Sequence, residues 1–291
     1  MNTRREFLKS TAAAVGLAGT LALPGLQAAE KKRPIKKALM LATLGIKGSV
    51  LEKFKALKAA GFDGVEPMSH MDQDEVMKAL DETGLKAASV CCNTHWAKPL
   101  SDPNPATRET GAEGVKQALR DAKRWGASSI LLVPGVARNG VTYEQCFERS
   151  VAEVKKILPL AEELGVKIAV ENVWNDFITK PEQAIDYMDA LNSPMVGWHF
   201  DIGNVIRYAA PETWIPVLGK RILKLHIKEY GKEKKFSVKF FEGDNNWPAI
   251  MAALDKVGYT GWGISEQPSD QTKDPASLKA FSEDMDRVFQ S

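Results

Sequence analysis

Several residues able to carry chemistry stand where short apolar runs end: Glu66, His95, Glu171, His199, Asp201, His226, Lys228, Glu229 and Glu266. Three of the chain's four histidines belong to this set. Carboxylate oxygens combined with imidazole suit a hard or borderline divalent ion, Mn2+, Mg2+, Co2+ or Zn2+. Cysteine is missing from the set, which argues against a structural zinc site and for an ion that keeps an open coordination position. A cation of that kind stabilises negative charge developing on an oxygen without transferring a proton.

These residues must be brought together by the elements that carry them. From Lys36 onward, short runs rich in Val, Ile and Leu alternate with longer stretches of helical periodicity, as in repeated β-α units around a parallel sheet. Strands are expected at residues 38–43, 64–67, 87–92, 129–133, 167–171, 196–201, 222–227 and 262–266, with helices near 50–60, 74–83, 106–125, 143–164, 181–191, 213–218, 248–256 and 275–289. Gly61, Gly84, Gly126, Gly165 and Gly258 follow helix ends, where a left-handed residue closes the last turn. A doubly wound open sheet would place a Gly-x-Gly-x-x-Gly turn after the first strand; Thr43-Leu44-Gly45-Ile46-Lys47-Gly48 lacks that spacing, and no Walker-type loop occurs. The expectation is an α/β fold, a single (β/α)8 TIM barrel, whose strand ends converge on one mouth.

The first residues read as an address. Arg4-Arg5 precedes an apolar, Ala- and Gly-rich run from Thr11 to Leu23, the arrangement of a twin-arginine export signal. The run falls short of the ~20 apolar residues that span a bilayer. The expected division is a signal at 1–29, cleaved after Ala28 or Ala29, and a barrel domain at 30–291 that begins with the basic tail Lys31, Lys32 and Arg33. Leu26-Gln27-Ala28 is a poor cleavage site, and an uncleaved signal would leave the protein tethered to the membrane. The expected location is therefore the periplasm or beyond. About 260 residues remain, close to the ~250 of one such barrel. With 39 basic and 37 acidic residues the net charge is +2, and no basic stripe interleaved with aromatics suggests nucleic acid. Cys91, Cys92 and Cys146 are expected to be buried free thiols, because twin-arginine substrates fold in the reducing cytoplasm before export. The sequence is compatible with a homo-oligomer.

The segments Gly61-Phe62-Asp63-Gly64-Val65-Glu66, Ala169-Val170-Glu171-Asn172, His199-Phe200-Asp201-Ile202-Gly203-Asn204, Lys224-Leu225-His226-Ile227-Lys228-Glu229 and Gly263-Ile264-Ser265-Glu266 resemble those of the xylose-isomerase-like barrel superfamily. The similarity is to its sugar phosphate isomerase/epimerase and ketose 3-epimerase branch. The resemblance implies a metal held by Glu171, Asp201, His226 and Glu266, with Mn2+ the expected ion. It implies that Glu171 and Glu266 also move the proton, through an enediolate, in isomerising or epimerising a ketose or keto-sugar. His199 would then hydrogen-bond a substrate oxygen, with Glu66, His95 and Lys228 as further substrate contacts, and Glu242-Gly243-Asp244 would help close the mouth. The endonuclease branch needs more histidines than this chain has. Export argues for a free sugar or glycoside over a sugar phosphate, since no phosphate-cradling loop is evident. Two alternatives stay open: a 3-keto-glycoside lyase that eliminates the aglycone after C2 deprotonation, and a non-catalytic periplasmic sugar-binding barrel. Trp96, Trp174, Trp198, Trp247 and Trp262 are divided between core packing and a sugar-stacking face.

Overall fold

The computed structural model describes residues 33–291; the twin-arginine reading at residues 1–29 lies outside them. Nine parallel strands are found among the described residues: β1 (Lys36–Met40), β2 (Gly64–Glu66), β3 (Lys86–Ala87), β4 (Val90–Cys91), β5 (Ser129–Leu132), β6 (Lys167–Glu171), β7 (Val196–Asp201), β8 (Ile222–Ile227) and β9 (Trp262–Ser265). Their order, β3-β2-β1-β9-β8-β7-β6-β5-β4, is that of a nearly closed barrel. The third expected strand is split at Ala88-Ser89: β3 pairs with β2 and β4 with β5. The seam is bridged where Met68 pairs with Cys91, and Ser69 N–H donates to the Cys91 carbonyl at 2.8 Å.

Helices α1 (Val50–Ala59), α2 (Gln73–Thr83), α3 (Pro105–Trp125), α4 (Tyr143–Leu164), α5 (Pro181–Leu191), α6 (Ile202–Val205), α7 (Pro211–Leu218), α8 (Trp247–Val257) and α9 (Pro275–Gln290) connect the strands. Local chemistry fixes their ends. Thr142 and Gln145 form a reciprocal capping box at the start of α4, and Gly165, at φ 66°, closes its C-terminus without a Cβ clash. At α1 the cap is Ala60 in a right-handed conformation, and Gly61, at φ 90°, follows it as the sequence suggested. Helix α6, a single turn, has no counterpart in the sequence-based expectation.

Strands β6 and β7 are buried on both faces: Ile168, Val170, Trp198 and Phe200 face the helices, and the alternate residues, Glu171, His199 and Asp201 among them, face the barrel interior. The main core, including fully buried Trp198, Trp214 and Trp247, lies between sheet and helices. A smaller apolar cluster of Ala38, Met40, Ala88, Cys91, Leu131, Val133, Val173 and Ile264 fills the barrel. Cys91, Cys92 and Cys146 are buried and unbridged. Among the described residues no helix is long and apolar enough to cross a membrane.

Candidate metal centre and active site

Strands β6, β7, β8 and β9 are consecutive neighbours, so the residues at their C-terminal ends meet on one side of the mouth. Glu171 ends β6, Asp201 ends β7, His226 lies one residue before the end of β8, and Glu266 follows β9. One ligand atom from each of these four residues lies within 4.8 Å of all the others. Nδ1 of His226 faces the group, 2.8 Å from Glu171 Oε1, 3.3 Å from Glu266 Oε2 and 3.7 Å from Asp201 Oδ2. Asp201 is held by its other oxygen: Oδ1 accepts the Asn204 N–H at 2.7 Å, while the buried Oδ2 has no hydrogen-bond partner. A buried carboxylate oxygen without a hydrogen bond calls for positive charge close to it, and Lys228 Nζ stands off at 3.6 Å, beyond hydrogen-bond reach. Three carboxylates and one imidazole around a common point match the donor set of a hard or borderline divalent ion, and the residues fit it.

Asn172 stiffens this arrangement. Its Oδ1 accepts from Asp201 N–H and Trp198 Nε1, both at 3.0 Å, and its Nδ2 donates to the Asp201 carbonyl at 2.8 Å. Asn204, on α6, donates through Nδ2 to the Asn172 carbonyl at 3.1 Å. The backbone that presents Glu171 and Asp201 is thus cross-linked by two asparagines. Both lay in the quoted segments, but nothing in the sequence marked them as supports.

The charges are strongly perturbed. Burial pushes the Glu171 carboxyl up to about 8, against the pull of His226. Glu266 is also penalised by burial, yet Lys228 and His226 beside it hold it well below the usual carboxylate range. Burial would lower His226, but Glu266, Glu171 and Glu66 around it lift it well above its ordinary value. Lys228 Nζ lies 2.7 Å from Glu266 Oε2 and 3.6 Å from Asp201 Oδ2, so the cluster carries its own cation.

Above the four residues is a cavity of about 210 Å³ lined by Glu171, His226, Lys228 and Glu266 with His95, Asn204, Trp96, Trp174 and Phe236, and floored by Met40, Cys91, Leu131 and Val173. Trp174 and Phe236 pack with ring centroids 4.9 Å apart. Trp96 is 53% exposed, whereas Trp198 and Trp247 are core and Trp262 packs against the apolar barrel filling. Sequence reasoning missed Phe236, which sits in a long loop without periodicity.

The structure separates the four residues expected to contact substrate. His95 and Lys228 line the cavity. Glu66 and His199 are fully buried and outside its wall: Glu66 Oε2 contacts His226 Nε2 at 3.0 Å, and the His199 ring packs on that of His226 at a centroid distance of 4.2 Å. Both are placed to act on His226. Burial holds His199 neutral, well below its ordinary value, and neither ring nitrogen has a partner among the described residues.

The loop after β8 is organised by Glu229. Its carboxylate accepts from Trp247 Nε1 at 2.7 Å and from the N–H groups of Phe241, Asn245 and Tyr230 at 3.0, 3.2 and 3.3 Å. Gly243 fits against it, because a Cβ there would come within 2.5 Å of Glu229 Oε1. Glu242-Gly243-Asp244 therefore braces the loop that brings Phe236 to the mouth.

A family model described as xylose isomerase-like TIM barrel matches residues 54–288. The chain is 27% identical over 253 residues to the L-ribulose-5-phosphate 3-epimerase UlaE of Escherichia coli O157:H7 (strain EC4115 / EHEC), covering 80% of this chain and 87% of that protein. Its fold resembles that of D-psicose 3-epimerase with D-tagatose from Clostridium cellulolyticum H10, with a TM-score of 0.74, 18% identity and coverage of 88% and 99% of the two chains. It also resembles apo 3-keto-D-glucoside 4-epimerase YcjR from E. coli, with a TM-score of 0.72, 18% identity and coverage of 87% and 98%. The match of the family model across most of the barrel places this chain in the xylose isomerase-like TIM barrel family.

Proposed function

We propose that this protein is a divalent-metal-dependent epimerase or isomerase of an uncharged ketose or keto-sugar. The observation that carries the reading is the convergence of Glu171 and Glu266 on His226 Nδ1, at 2.8 and 3.3 Å, on the wall of a sugar-sized cavity. Glu171, Asp201, His226 and Glu266 would hold the ion, with Mn2+ the preferred candidate for this oxygen-rich set. When bound, it would supply Lewis-acid stabilisation to an oxygen that gains charge. One of Glu171 and Glu266 takes the proton from the carbon beside the carbonyl, and the C–H electron pair delocalises into the carbonyl to give an enediolate. The other returns a proton to the opposite face of the same carbon in an epimerisation; in an isomerisation a proton is returned to the neighbouring carbon while the hydroxyl proton passes from one enediolate oxygen to the other, so that the carbonyl moves by one position. Lys228 balances the negative charge, and the aromatic wall keeps bulk water from the reacting carbon.

The cavity supports an uncharged substrate. Among the described residues its wall contains one lysine, Lys228, whose ammonium is engaged by Glu266. A phosphate ester calls for free cations or converging backbone N–H groups. Trp96, Trp174 and Phe236 instead offer apolar faces to sugar C–H groups.

A second reading, a 3-keto-glycoside lyase, is favoured by the exposed Trp96 at the mouth, a platform suited to an aglycone. There the pair released by C2 deprotonation expels the C1 oxygen, which leaves with a proton from the second carboxyl group. The test is NMR of ketohexoses and a 3-keto-glucoside after incubation in D2O with the Mn2+-loaded and the Mg2+-loaded protein, the paramagnetic ion being removed from the products before spectra are recorded. Deuterium beside the carbonyl with the sugar intact identifies the epimerase or isomerase, and aglycone release identifies the lyase. Binding without either change would favour the non-catalytic barrel.

We also infer export through the twin-arginine route, on the strength of Arg4-Arg5 and the apolar run that follows. Replacing both arginines by lysine should retain the protein in the cytoplasmic fraction; unchanged fractionation would overturn the inference.

A further inference from the structure

His95 is fixed in one tautomer by a contact on the side of its ring away from the sugar. It stands in the turn after β4, and its Nδ1 lies 3.2 Å from the backbone nitrogen of Val133, just past the end of β5. A backbone N–H only donates, so Nδ1 must be the acceptor and carry no proton. The neutral ring then bears its proton on Nε2. Burial pushes the imidazole down to about 4, which keeps it neutral at any ordinary pH. The residue is 5% exposed and lines the cavity, and among the described residues the hydrogen bond its ring makes is the one at Nδ1. An N–H donor on a buried ring that lines a cavity and has no protein partner is matched to an acceptor that arrives with the ligand.

Its place in the barrel indicates which part of the ligand that is. Strand β4 lies across the ring of strands from β8, so His95 faces the cavity from the side opposite His226. Trp96 packs edge-on against its ring at a centroid distance of 5.6 Å and limits how it can turn.

We infer that His95 is a specificity-determining residue, presenting a fixed neutral Nε2–H to a hydroxyl or ether oxygen of the sugar at the end remote from the four-residue cluster. This inference rests on the sugar reading given above and deepens it. A neutral donor selects an uncharged oxygen and gives a phosphate no charge compensation, in keeping with the engaged state of Lys228. It also orients the sugar, because a substrate held at both ends cannot offer a different carbon to the carboxylates.

The test uses the Mg2+-loaded full chain labelled with 15N-histidine, with D-fructose and methyl 3-keto-β-D-glucopyranoside as probes. Long-range 1H–15N spectra should show His95 with a bare Nδ1 and a protonated Nε2, and the Nε2 resonance should shift on titration with a sugar that binds. His95→Asn keeps an acceptor for Val133 N–H but cannot reach the sugar, and should weaken binding roughly tenfold, the cost of one lost hydrogen bond. His95→Gln puts an amide N–H near the Nε2 position and should restore affinity to within about threefold. An Nδ1–H tautomer or an imidazolium at neutral pH would overturn the inference. So would wild-type binding that survives His95→Asn unchanged in a variant with unaltered Tm, and that outcome would leave the sugar reading intact. Failure of the wild-type protein to bind either probe would overturn the sugar reading and the role of His95 with it.

Discussion

Glu66 Oε2 lies 3.0 Å from Nε2 of His226, on the far side of the imidazole from Glu171, Asp201 and Glu266. When Nδ1 binds an ion, Nε2 must carry the proton, and Glu66 is the acceptor placed to receive it. Glu66→Ala should therefore weaken Mn2+ binding about 10- to 100-fold without unfolding the barrel. Titration calorimetry checks this, and unchanged affinity would show that the contact does not orient His226.

Metal binding should release protons. Metal ligands bind deprotonated. Burial holds the Glu171 carboxyl at about 8, and the surrounding carboxylates hold His226 well above its ordinary value. Below about pH 8 the ion therefore competes with protons, so Mn2+ affinity should rise as pH increases toward that value. The dissociation constant measured from pH 6 to 9 tests the sign; a flat curve, or affinity falling with pH, contradicts it.

Lys228 should separate binding from turnover. Its ammonium, 2.7 Å from Glu266, repels an incoming cation but favours negative charge developing on the substrate. Lys228→Met is expected to leave metal affinity unchanged or tighter while lowering kcat by about 100-fold. Loss of metal with retained turnover in the loaded fraction would reverse the assignment.

Glu229 acts on the loop that follows it. Glu229→Ala removes the acceptor of four donors, three of them backbone N–H groups, and should cost about 2 kcal/mol or more. Hydrogen exchange should quicken across residues 230–246, which carry Phe236, and KM should rise with metal affinity unaltered. Exchange confined to its wild-type rate would show that the loop is held by other contacts.

The sequence was most informative where an apolar run ended on a charged residue. Strands β6, β7 and β8 have the bounds expected of them, because a buried parallel strand is apolar along its length and its end is marked by Glu171, Asp201 or the segment after His226. The break between β3 and β4 was hidden because Ala88 and Ser89 are small residues that continue a strand-like run. Helix α6 was hidden because one turn carries no periodicity. Alternation along β2 puts Glu66 inside the barrel but says nothing of depth, and depth separates a cavity-lining residue from one packed behind His226. The roles of Asn172 and Asn204 depend on contacts between β6, β7 and α6 that sequence spacing does not encode.

The account turns on Glu171 and Glu266 acting together. The most direct measurement is conversion of a responsive ketose or keto-sugar in D2O, followed by NMR, with wild-type protein, Glu171→Gln and Glu266→Gln, each with its bound metal quantified. The account predicts deuterium at the carbon receiving the returned proton in the wild-type product, and product formation at least about a thousandfold slower in each metal-loaded variant. Wild-type turnover in either variant, or a product from D2O with no deuterium at that carbon, would contradict it.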